Sequence, residues 1–280
     1  MGLKSCSRPP YRLPLHPHLP IMAFMQNLPR AALITGATSG IGEAFAHALP
    51  ASTSLLLTGR NEAALLQLAQ TLGAGRLVET LRADLATDHG LDTLLTAAER
   101  FNIDLLICNA GLGPFGDFLA APEVTLRDTV SVNVMAPLVL TRRLLPGMIA
   151  RAEAEGRRAG LIVVSSGAAF LPVPRLAAYA ASKAFDLSLT EALGAELTGR
   201  PVDVLALCPT ATRSRFAERS GFGRNPPGAQ NPAHVARRAF SALGRQRTLV
   251  LGPITGSVLT GPALIRAAVA QALQTVLPRR

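Results

Sequence analysis

From residue 31 onward the chain repeats one alternation: a short apolar run, then a stretch with apolar residues at helical spacing. The runs are AALITGA, SLLLTGR, RLVETLRADL, IDLLICNAG, GLIVVSSG, VDVLALCP and TLVLGP. Segments such as LIVVS and DLLIC show no polar–apolar alternation, as expected of strands buried on both faces. Helical stretches fall between them, at 88–101, 123–150, 176–198 and PAHVARRAFSAL, and at NEAALLQLAQTLG after Asn61, a good N-cap. Strand–helix–strand connections are right-handed and build a parallel sheet covered by helices. The expectation is an α/β fold: a single doubly wound parallel sheet of about seven strands with helices on both faces.

The 280 residues suffice for one large domain, and 49% hydrophobic residues against 16% charged can fill its core. No Pro/Gly-rich linker divides the chain, so 30–280 reads as one domain. Residues 1–29 read as a disordered or artefactual basic extension; a transit peptide, or a true start at Met22 or Met25, are the alternatives. The C-terminal stretch ITGSVLTGPALIRAAVAQALQTVLPRR is apolar but broken by Pro262 and Arg266. A helix packed on the domain or at a subunit contact is expected there, with weak peripheral membrane association as the alternative. Cys6, Cys108 and Cys208 lie far apart and form no C-x-x-C pair; Cys108 and Cys208 sit in apolar, strand-like runs and read as buried thiols, which points to a reducing compartment and a cytoplasmic location. His47, His89 and His234 suit no metal role, and no metal is expected. The net charge of +10 gathers at the ends; residues 200–280 hold twelve arginines against Asp203 and Glu218. With aromatics at 4% and no Trp, this is read as solvation or anion binding rather than nucleic-acid binding.

The first apolar run leads into TGATSGIG, Thr35 to Gly42. Gly36 permits a tight turn; Gly40 and Gly42 let backbone approach a ligand and let helix pack on strand. Free N–H groups at the helix start then face a phosphate. The second run ends in Gly59-Arg60. An acidic residue there would hold a ribose 2′-hydroxyl, whereas an arginine suits a 2′-phosphate, so NADP(H) is expected as cofactor.

Taken in order, the motifs resemble the short-chain dehydrogenases/reductases. T-G-x-x-x-G-x-G lies at Thr35–Gly42, Asp84 follows the third strand, and NAG spans Asn109–Gly111. Asn133 lies in the next long helix, Ser166 follows the fifth strand, and Y-x-x-x-K falls at Tyr179 and Lys183. The resemblance covers about residues 31–252 and implies a Rossmann-like fold and a carbonyl/alcohol oxidoreductase. It also implies a homodimer or homotetramer built on the helices at 123–150 and 176–198. By resemblance, Thr38, Ser39 and Ile41 join the three glycines at the cofactor, Asp84 and Leu85 meet the adenine, and Asn109, Ala110 and Gly111 stabilise the sheet beside it. Ser166, thirteen residues before Tyr179, would position the substrate carbonyl, while Ser165 points to the opposite face of the strand. Lys183 would hold the nicotinamide ribose, and Asn133 a water linking Lys183 to solvent. Pro209 and Ser214 fall at the nicotinamide side, with one departure: Thr210 stands where glycine is usual, which predicts a differently shaped loop.

The chemistry needs these residue types. Carbonyl reduction moves hydride to carbon and a proton to oxygen. A free phenol loses its proton only near about pH 10, and an ammonium close by favours the phenolate. Four residues apart on a helix, Tyr179 and Lys183 share one face, so Tyr179 can serve as general acid or base. Residues 210–232, rich in Gly and Pro, are expected to be a substrate lid, with Phe216 and Phe222 lining an apolar pocket and Arg213, Arg215, Arg219 and Arg224 facing solvent. The catalytically silent alternative is a nucleotide-binding regulatory or scaffold protein of the same fold.

Overall fold

The computed structural model describes residues 28–73 and 75–252. The expectations for residues 1–27 and for the apolar C-terminal stretch fall outside those residues.

The seven apolar runs form seven parallel strands: β1 (Ala31–Thr35), β2 (Ser54–Gly59), β3 (Val78–Arg82), β4 (Leu105–Cys108), β5 (Ala159–Val164), β6 (Val202–Pro209) and β7 (Thr248–Leu251). Their order in the sheet is β3-β2-β1-β4-β5-β6-β7. The helices are α1 (Gly40–Ala48), α2 (Glu62–Thr71), α3 (Asp88–Phe101), α4 (Glu123–Val130), α5 (Ala136–Glu155), α6 (Ala177–Glu196), α7 (Phe216–Arg219) and α8 (Pro232–Ala242). No helix among the described residues is long and apolar enough to cross a membrane.

Both faces of the sheet are covered, which is why its strands are apolar throughout. Leu33, Leu56, Leu106 and Leu161 enter one core with Leu94, Leu144 and Met148. Their strand neighbours Ile34, Leu57, Ile107 and Ile162 enter the other, with Phe45, Val235 and Phe240. The period of two along each strand sorts side chains between two cores rather than between core and water. Capping sets several helix starts: Asn61 accepts from Ala64 N at 3.0 Å, and Asn231 from Ala233 N at 2.9 Å.

The stretch 123–150 is longer than expected and not uniform. α4 and α5 join through one π-helical turn, Ser131–Met135, and α5 continues to Glu155. Such turns insert one extra residue into a helix, and this one has Asn133 at its centre, fully buried.

The order of strand addition reverses between β1 and β4, since β2 and β3 build out one way and β4 to β7 the other. A crevice opens beyond the carboxyl ends of strands at such a switch point.

Candidate active site

That crevice is a cleft of about 1050 Å³. Gly36, Thr38, Ser39, Ile41, Arg60, Asp84, Leu85, Asn109, Ala110, Gly111, Ser166, Tyr179, Lys183, Pro209 and Ser214 all line it. Gly40, Gly42 and Asn133 are not among the residues that line it.

The glycine loop is built for close backbone approach. Gly36 and Gly40 have φ of 65° and 61°, the left-handed region that side chains other than glycine avoid. A Cβ on Gly42 would lie 2.3 Å from Gly36 O and 2.5 Å from Asn109 Nδ2. Ser39, the N-cap of α1, makes no side-chain capping bond, so the first N–H groups of α1 stay available to an anion. Asn109 locks the loop to the sheet, donating from Nδ2 to Thr35 O at 2.9 Å and Gly36 O at 3.1 Å. The Thr35 hydroxyl accepts from the N–H groups of Asn109 and Ala110. A mononucleotide phosphate fits this turn, because the turn offers backbone donors and no side chain in the way.

At the other side of the loop, Gly59 and Arg82 are paired in register on β2 and β3. Arg60 and Arg82 therefore reach the same end of the cleft, and both line it. Sequence reasoning missed Arg82; its position one strand over from Gly59-Arg60 was the available signal. Two lid arginines expected to face solvent are exposed and also stand beside the cleft. Arg219 lines the cleft, and Arg215 donates from Nη2 to Thr38 O at 2.8 Å. Burial, with Arg215 and Arg60 nearby, lowers the Arg219 pKa. The segment leading into α7 folds back over the glycine loop: a Cβ on Gly40 would lie 2.6 Å from Ser214 Cβ.

Thr210, standing where glycine is usual, avoids the positive φ that a β-branched residue disfavours. The described non-glycine residues with positive φ are Asn102 and Arg175, so Thr210 adopts an ordinary conformation. Its N–H donates to Leu251 O at 2.8 Å, extending the pairing toward β7, and its hydroxyl accepts from Gln230 Nε2 at 3.1 Å. The Ser214 hydroxyl accepts from Phe216 N at 3.2 Å.

Tyr179, Ser182, Lys183 and Asp186 lie on α6. Ser166 follows β5, its Oγ accepting from Ala168 N at 3.1 Å. Ser165 also lines the cleft, but its hydroxyl is taken by Lys183 O, to which it donates at 2.6 Å. Asn133 is committed to protein partners. It donates to Leu112 O at 2.7 Å and Ser182 Oγ at 2.8 Å, and accepts from Leu112 N at 2.8 Å. Lys183 is buried, and its Nζ donates to Val164 O and to Asp186 Oδ2, both at 2.9 Å. Burial opposes this charge, but the Asp186 carboxylate, then Tyr179, raise the lysine pKa above its usual range. Asp186 was not anticipated, because a carboxylate three residues after a lysine on a helix ordinarily marks an exposed pair.

The inner end of the cleft is apolar, lined by Leu112, Leu171, Val173, Leu176, Phe216 and Phe222. The Phe216 ring lies 5.2 Å from that of Tyr179, and Phe222 packs on Phe115 at 4.9 Å.

A glycine turn at one end of a switch-point crevice, with Ser166, Tyr179 and Lys183 also lining it, gives the layout of a doubly wound, Rossmann-like fold. The chain belongs to the short chain dehydrogenase family, whose sequence model matches residues 30–222. It is 33% identical over 229 residues to a very-long-chain 3-oxoacyl-CoA reductase of Phaeosphaeria nodorum, covering 76% of this chain and 63% of that protein. It is 32% identical over 222 residues to the inactive hydroxysteroid dehydrogenase-like protein 1 of Rattus norvegicus, covering 77% of this chain and 66% of that protein. The chain thus spans a little under two thirds of either relative. A short-chain dehydrogenase from Sphingobium yanoikuyae, solved in complex with NADPH, superposes with a TM-score of 0.70 at 28% identity, over 88% of this chain and 94% of that one.

Proposed function

We propose that the protein is an NADP(H)-dependent oxidoreductase that interconverts an apolar carbonyl compound and its alcohol, with Tyr179 as general acid and base. The observation that carries this reading is the sharing of one cleft by Ser166, Tyr179 and Lys183 with the glycine loop and three cleft-lining arginines. The dinucleotide, when bound, supplies or takes the hydride. Gly36, Ser39 and Ile41 would hold its pyrophosphate against the start of α1, and Asp84 and Leu85 its adenine. Arg60, aided by Arg82, Arg215 and Arg219, would hold a 2′-phosphate; among the described residues none of the four is in an ion pair with a carboxylate. Mutual repulsion among such guanidiniums favours an anion between them.

Ser166 orients the carbonyl oxygen and Tyr179 delivers a proton to it. In the opposite direction the phenolate takes the alcohol proton. Lys183 favours the phenolate, and Asn133 holds Leu112 and Ser182 so that α6 and the Gly111 turn keep their spacing. Leu171, Val173, Leu176, Phe216 and Phe222 exclude water and select apolar substrates, with 210–232 as the covering lid. The buried free thiols of Cys108 and Cys208 suit a reducing, cytoplasmic setting. Exposed Val130, Met135 and Phe185, at 46%, 46% and 36%, supply apolar surface for a homodimer or homotetramer.

Tyr179→Phe should lower turnover of NADPH with any reduced carbonyl by about 10²–10⁴-fold, with NADPH affinity nearly unchanged by fluorescence titration. Full activity in that variant overturns the assignment. NADPH should bind more tightly than NADH, and Arg60→Ala should erase most of the difference. The name of the inactive rat relative favours a second reading, a cofactor-binding protein without turnover. NADPH binding with no reduction across a broad carbonyl panel would establish that one.

A further inference from the structure

We propose that Asp186 is a positioning residue of the proton-transfer site: its buried carboxylate holds Lys183 as an ammonium at a set place on the Tyr179 face of α6. This rests on the reading of Tyr179 and Lys183 given above. The family motif ends at Lys183, so Asp186 carries no role by resemblance.

The geometry is that of a buried ion pair. The Lys183 and Asp186 side chains are 5% and 1% exposed, with Nζ 2.9 Å from Oδ2. An ammonium has three N–H groups. Asp186 and Val164 O take two, and one remains for the cleft, which Lys183 lines. Nζ comes near the Asn109–Gly111 turn: a Cβ on Gly111 would lie 3.7 Å from it. A lone buried ammonium would lose its proton rather than stay charged, and a neutral amine would no longer favour the phenolate.

Asp186 is the carboxylate that prevents this. Of the groups packed around Lys183, Cys108 on β4 and Cys208 on β6 are both pushed up to about 12, first by burial, and stay uncharged near neutral pH. Ser165, just after β5, is a hydroxyl donor to Lys183 O, and Thr141 on α5 contacts the Cys108 thiol. Glu191, further along α6, accepts from Thr248 at 2.6 Å and is turned to β7. Burial pushes the Asp186 carboxyl above its ordinary value, and Lys183 offsets only part of that rise. The second oxygen, Oδ1, is buried without a hydrogen-bond partner among the described residues, so the carboxylate is held for its charge on Lys183 and not as part of a wider network.

The chain makes a direct test possible. It has two lysines, Lys4 and Lys183, so protein labelled with ¹³C at lysine Cε gives two signals, and Lys183→Met assigns them. In the wild type Lys183 should titrate above Lys4. In Asp186→Asn it should titrate below Lys4, and kcat near neutral pH should fall roughly tenfold or more, with the activity–pH profile displaced and partly restored in Asp186→Glu. Wild-type Lys183 titrating below Lys4, or a folded Asp186→Asn in which it still titrates above, overturns the proposal. If Asp186→Asn does not fold, Asp186→Glu decides: Lys183 stays above Lys4 if a carboxylate holds it, and drops below if it does not. The two readings fail separately. Loss of reduction in Tyr179→Phe with unchanged lysine titration in Asp186→Asn keeps the oxidoreductase and removes the role of Asp186. The expected lysine titrations without reduction of any carbonyl do the reverse.

Discussion

At the scale of single residues, the site depends on where a side chain is missing as much as on which is present. A Cβ on Gly113 would lie 2.5 Å from Phe216 Cζ and 2.8 Å from Tyr179 Cδ2. Those neighbours are ring edges, one of them on the lid. At Gly42 the obstacles are Gly36 O and an amide that pins the loop, and neither can give way. Gly113→Ala should therefore displace Phe216, raise KM for the carbonyl severalfold and leave NADPH affinity and melting temperature close to wild type. Gly42→Ala should weaken NADPH binding and lower the melting temperature, read by fluorescence titration and calorimetry. The special role of Gly42 was legible in TGATSGIG. That of Gly113 was not, because its reason is a ring brought from residue 216, far along the chain. Asp186 was hidden for a similar cause: KAFD reads as a solvent-facing pair until β4, β5 and β6 are seen to bury that face of α6.

At the scale of elements, strands were easier to read than the helix that carries Asn133. A doubly buried strand announces itself by an unbroken apolar run. The π turn at Ser131–Met135 has no such mark, since the surrounding pattern is compatible with one continuous helix. The turn matters because it carries Asn133 to Leu112 and Ser182. Asn133→Ala would leave the Leu112 N–H and C=O without these partners in a half-buried place, at about 1–3 kcal/mol for each orphaned group. The expected result is a loss of about 3 kcal/mol in chemical denaturation and a fall in turnover, with α4 and α5 still helical by circular dichroism. Loss of turnover with full stability would mean that Asn133 acts on the chemistry and not on the spacing of α6 from the Gly111 turn.

At the scale of the whole molecule, the two thiols buried beside the Lys183–Asp186 pair couple the fold to pH. Burial raises Cys108 and Cys208 from 9.0 to about 12. In the unfolded chain they ionise at their ordinary value, so above about 9 the unfolded state binds fewer protons than the folded one. Their contribution is whole below pH 9 and is lost progressively as pH rises toward 12. The melting temperature should fall across that window, and Cys108→Ala/Cys208→Ala should flatten the fall. The amino-acid sequence by itself determined the α/β class, the strands, the phosphate turn and the order of the family motifs. Each of these follows from local spacing and from backbone freedom at particular glycines. Only the tertiary structure decided that Arg82, Arg215 and Arg219 join Arg60 at one end of the cleft, and that Thr210 keeps an ordinary backbone by bonding to Leu251 and Gln230. It alone placed Asp186 against Lys183 inside the molecule. Those outcomes depend on charges and rings from distant segments meeting in space, and sequence spacing carries no record of the low-dielectric surroundings that give such a meeting its strength.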